Sequence, residues 1–133
     1  MPRPDYVWYS YAAIRVVPRV ERGECLNAGV ILFAREAAFL EARVELDPAR
    51  LRAFAPWLDR DLVERHLAAF VAIGAGAADA GPIAALSLSE RFHWLTAPRS
   101  TLIQTSPVHV GCCPDPRAAV EDLLDALVRP PGG

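Results

Sequence analysis

A chain of 133 residues, 53% of them hydrophobic, is long enough to close a single core without disulfide or metal staples. With 23% charged residues and a formal net charge of −2 it has no general attraction for nucleic acid or anionic lipid. All 14 basic residues are arginine, which removes the chemistries that need a lysine: a P-loop phosphate contact, a Schiff base, or a kinase β3 lysine.

Taken in order, Met1 to Asp5 is proline-rich and lacks a hydrophobic signal core, and no later apolar run approaches the ~20 residues that span a bilayer. The expectation is a cytoplasmic chain without a membrane partner. Trp8 to Pro18 follows, rich in aromatic and β-branched residues and apolar on both alternating sets, so it reads as a strand covered twice or paired with a second copy in a homodimer. Arg15 is the one charge within it.

Gly23 and Gly29 bracket a connection to a second strand, about Gly29 to Ala34, and together these predict an early hairpin. Arg22, Glu24 and Asn27 lie on that bend, where a loop on a rigid hairpin can aim polar groups at a ligand. The same residue types also satisfy turn backbone groups. A third strand, Phe39 to Leu46, sets Leu40, Ala42, Val44 and Leu46 against Glu41, Arg43 and Glu45, as suits a half-exposed strand whose charges discourage edge pairing.

Asp47-Pro48 marks a helix start, and Asp59 caps another whose stripe is Leu62, Val63, His66, Leu67, Phe70 and Val71, placing His66 at the core margin. The small-residue run 74–82 reads as a flexible linker, since it lacks the Gly-Lys-Ser ending of a phosphate loop. Ser87 to Glu90 fits a capping box for a short helix to about Leu95. Next comes a second polar stretch with His93, Arg99, Ser100, Gln104, Ser106 and His109, in which Thr101 to Ser106 has strand character and Pro107 limits it. Asp115-Pro116 opens a last amphipathic helix through Val120, Leu123, Leu124, Leu127 and Val128, ending at Arg129-Pro130.

These elements predict an α+β fold: an antiparallel sheet of about three to four strands, made of an N-terminal three-stranded meander plus a strand near 101–106, packed on amphipathic helices over 59–73 and 116–129. A single domain over 1–133 is expected, with flexible tails at 1–5 and 130–133. The cysteines, Cys25 and the adjacent Cys112 and Cys113, form no disulfide framework, and His109 with Cys112 is half a zinc site at most. No metal and no cofactor is therefore expected.

The chain resembles the domain of unknown function 3037 family of bacterial proteins. The resemblance rests on Tyr9 to Pro18, on Arg22-Gly23-Glu24 with Asn27, Gly29 and Val30, and on His93 to Thr101 running into Gln104, Ser106-Pro107, His109 and Gly111. It carries no catalytic assignment, but it implies an accessory role beside a HipA-like kinase, which some members of the family neighbour.

Two functions compete on this reading. One is a small binding or accessory module whose ligand site, for a partner protein or a small anion, draws on Arg22, Glu24, Asn27, His93, Arg99, Ser100, Gln104, Ser106 and His109. The other is an enzyme on a phosphorylated or nucleotide substrate, with Arg22 and Arg99 holding the anion, His93 or His109 as general acid/base, and Glu24 orienting it. The acidic balance argues against nucleic acid. Both readings require the early bend and the late polar stretch to meet after folding.

Overall fold

A strand apolar on both faces has to be covered on both, and that requirement places β1 (Val7–Val16) at the centre of the sheet. In the computed structural model, which describes residues 4–131, β1 pairs antiparallel with β2 (Leu26–Ala34), and β2 pairs antiparallel with β3 (Phe39–Val44). The other edge of β1 is shared by two short antiparallel strands. β4 (Ile103–Thr105) lies opposite Ile14 to Val16, and β5 (His109–Cys113) lies opposite Val7 to Tyr11.

The sheet therefore has five strands, the fifth being β5. Pro107 cannot donate to a ladder, so the pairing along β1 breaks between β4 and β5 and the register steps by one residue. Ser106 bridges the break. Its N–H donates to the Ala13 carbonyl at 2.9 Å, and its hydroxyl accepts the Ala13 N–H at 2.9 Å, so a side chain supplies the missing ladder acceptor. Ser106 is only 6% exposed, and without that hydroxyl a buried N–H would be left unpaired.

The first face of the sheet carries Ala12, Ile14, Val16, Ile31, Phe33 and Ala42. It is covered by Leu51 of α1 (Pro48–Phe54), Val63, Leu67 and Phe70 of α2 (Arg60–Ala75), and Phe92 and Leu95 of α3 (Leu88–Thr96). On the second face Val30, Leu32, Ala34 and Cys113 pack on Ala119, Val120 and Leu124 of α4 (Pro116–Leu127) and on Val128. Each helix starts where a side chain accepts the first free backbone N–H groups: Asp47, Asp59, Asp115, and the Ser87–Glu90 capping box.

Two local expectations shift. α2 runs on to Ala75 and closes on Gly76 at φ 67°, so the 74–82 run begins as helix. The buried stripe of α2 is Val63, Leu67, Phe70 and Gly74, and this leaves His66 exposed instead of at the core margin. Residues 1–3 and 132–133 of the two expected tails lie outside the described residues.

Between β1 and β2 the register slips by one. Ile14 faces Gly29 but Arg15 faces Asn27, so Ala28 is the extra residue of a β-bulge. The bulge reverses the alternation: Ala28 joins the first core, and Asn27 is turned to the second face, where its Nδ2 donates to the Leu127 carbonyl at 3.0 Å. Gly29 makes this possible, because a Cβ there would run into the Arg43 carbonyl oxygen of β3.

An ion-pair cluster ties the far side of α4 to β3. Arg43 contacts Glu121 at 2.5 Å, and Arg129 reaches Glu45 at 2.6 Å, Asp125 at 2.7 Å and Glu121 at 3.0 Å. The hydrogen bond from Arg129 holds the Glu45 carboxyl below the usual range, and the bond from Arg43 does the same for Glu121.

Two outcomes follow for stability. Gly29→Ala forces strands β2 and β3 apart and is expected to cost about 1–3 kcal/mol in urea denaturation, as overpacked sites do. Carboxyls depressed in the folded state contribute stability above their unfolded value of about 4.3 and lose it as pH falls through the folded value. Thermal midpoints should thus drop as pH falls below about 4.3, and less steeply in Glu45→Gln/Glu121→Gln; parallel curves for the two proteins would rule out the cluster as the cause.

Candidate functional site

The two polar stretches seen in the sequence are divided by the fold. At the bend, Arg22 and Glu24 pair with each other at 2.6 Å on an exposed loop; the hydrogen bond raises the arginine's pKa and lowers the glutamate's. Asn27 accepts from Arg15 Nε at 3.2 Å while donating to Leu127, so it is engaged in seating α4.

The late stretch turns mostly onto main-chain atoms. Arg99 folds back over the Trp94 ring at 4.7 Å and the Phe70 ring at 5.3 Å, and donates to the carbonyls of Trp94 and Ala97, sealing the C-terminal end of α3. Burial lowers its pKa. Ser100 is exposed next to it, Gln104 donates to the Thr101 carbonyl at 2.9 Å, and Ser106 is built into the sheet. His109 is exposed on β5, with its ring 5.5 Å from that of Tyr11. Where the stretches do meet is a row across three strands, Asn27 on β2, Arg15 on β1 and Gln104 on β4.

Of the nine candidate residues, only His93 lines the cleft between the β1–β5 edge of the sheet and α3. This cleft, about 570 Å³, opens on the first face of the sheet between Trp8, Ser10 and Val110 and the side of α3. Trp8, Tyr9 and Ser10 come from β1, Phe33 from β2, Arg35 and Glu36 from the turn after it, Phe92, His93 and Thr96 from α3, and Val108 and Val110 from the β5 segment. Trp8 is 52% exposed and Val110 66%, so large apolar groups are left in water side by side.

The polar end of the cleft is organised by Ser89. Arg35 lies over the Phe33 ring at 5.5 Å and donates to Ser89 Oγ at 3.3 Å. His93 Nδ1 sits 2.8 Å from the Ser89 carbonyl oxygen, and a carbonyl only accepts, so Nδ1 carries the proton. In the neutral ring Nε2 is then the free acceptor. Among the described residues no group of three His, Cys, Asp or Glu side chains is placed to hold a metal ion.

A family model described as protein of unknown function (DUF3037) matches residues 11–128, nearly the whole chain. The chain belongs to this family. No curated protein and no solved structure matches it. Within the DUF3037 match Asn27, Gly29, Arg99 and Ser106 have architectural partners, whereas Trp8 and Ser10 of the cleft lie ahead of the matched region. No described helix of this DUF3037 protein is long and apolar enough to cross a membrane.

The residues missed by sequence reasoning are the cleft's own: Trp8, Ser10, Phe33, Arg35, Glu36 and Val110. A signal existed in the alternation that puts Trp8 and Ser10 on one face of β1, but the strand partner carrying Val110 was needed to read it. The division between architecture and cleft can be measured. Asn27→Ala removes a side chain that bonds both Arg15 and a helix-end carbonyl and should cost about 1–3 kcal/mol, while Arg22→Ala, which breaks only an exposed pair, should leave the melting temperature unchanged.

Proposed function

We propose that this DUF3037 protein is a small binding module and that the cleft over Trp8 and Val110 receives its ligand. The observation that carries the reading is a concave apolar surface with few convergent polar groups, whose volume falls within the roughly 300–1,000 Å³ of small-molecule sites. Isolated exposed apolar residues are ordinary, but a tryptophan and two valines lining one hollow keep water against apolar surface for a purpose outside folding.

The enzyme alternative asks for Arg22, Arg99 and Glu24 around a histidine. Arg22 and Glu24 hold each other on the loop, and Arg99 closes α3, which weighs toward binding. The proposal retains the cytoplasmic location and accessory role expected from the sequence, with a HipA-like kinase as the partner that the family resemblance implies.

The test uses 1-anilinonaphthalene-8-sulfonate, a fluorescent probe of apolar clefts. The native protein should enhance its emission saturably at one site. Val110→Glu, a surface change worth less than about 0.5 kcal/mol of stability, should abolish that site with the fold intact. Equal titration curves for the native protein and the variant would place the ligand elsewhere.

A further inference from the structure

We propose that the ligand of this cleft is a small aromatic monocarboxylate, a class that rests on the binding reading above. The walls argue for the ring. Trp8, 52% exposed, offers the hollow an open aromatic face, the nearly buried Phe33 and Phe92, whose centroids lie 5.4 Å apart, contribute to its lining, and Val108 and Val110 add exposed apolar surface, so a flat apolar body displaces water from apolar groups.

Arg35 argues for the charge. Among the described residues it is the one arginine in the lining and has no carboxylate within ion-pair distance. Stacking on Phe33 and the bond to Ser89 fix the plane of its guanidinium while leaving other N–H groups free. A fork held in one plane matches a carboxylate by two parallel hydrogen bonds, which a lysine ammonium could not do. His93, anchored on the same Ser89, marks this as the polar end of the cleft.

Glu36 argues for a single charge. It follows Arg35 in the chain and also lines the cleft, so its negative charge disfavours a dianionic phosphate more than a monoanionic carboxylate of the same body.

Calorimetric titration of the full chain with 2-naphthoate, its uncharged twin 2-naphthamide, and 2-naphthyl phosphate tests the class. 2-Naphthoate should bind about tenfold more tightly than the amide and the phosphate, the scale of a charge-assisted pair. Arg35→Gln, at an exposed position, should bring 2-naphthoate down to the amide, and Glu36→Gln should raise the phosphate selectively. If acid and amide bind alike, or Arg35→Gln leaves their ratio intact, the carboxylate assignment is overturned while the cleft stands. If none of the three binds, the cleft reading falls with it.

Discussion

A single extra residue in β2 holds this structure in register. Ala28 bulges out of the β1–β2 ladder, and only because of that slip does Asn27 reach the second face, where it meets both Arg15 and the last carbonyl of α4. Gly29 beside it lets β3 approach without collision. Asn-Ala-Gly is thus one device: it turns the strand, admits the neighbouring strand and seats the helix. The ion-pair cluster around Arg129 then fixes the other side of the same helix, and Arg50 donates to the Val128 carbonyl at 2.9 Å.

The cleft is a by-product of how β1 is shared. Its C-terminal half is paired with β4 and roofed by helices on the first face, whereas its N-terminal half is paired with β5, where Trp8 and Val110 stay exposed on that face. Pro107 and Ser106 separate the two halves. The same break that shortens the strands leaves Trp8 and Val110 uncovered, so sheet geometry and the cleft have one origin.

The three-stranded meander, the capped helices and the amphipathic α4 were legible because each follows from local chemistry: alternation, Asp-Pro starts, a capping box, a stripe at helical spacing. β5 was not, since a short His-Val-Gly-Cys-Cys run between two prolines has little strand propensity of its own and gains its conformation from β1. Even its glycine is explained only in the fold, where a Cβ on Gly111 would lie 2.7 Å from the Tyr9 ring. The polar residues misdirect for a related reason. Arg99, Gln104 and Ser106 have the side chains of a ligand site, and their partners are main-chain atoms that composition cannot reveal. Arg35 and Glu36 lie in a plain turn after β2, where nothing local marks them.

The order of the chain bears on how the protein is made. β1, β2 and β3 can assemble as soon as they leave the ribosome, but Ala13 must wait for Ser106, 93 residues later, and Val30, Leu32 and Ala34 stay bare until α4 has been synthesised. The nascent meander therefore spends several seconds with its second face open to water, at usual elongation speeds of about 5–20 residues per second. That interval, more than any weakness of the finished fold, is when this sheet is most exposed to capture by chaperones or by its neighbours on a polysome.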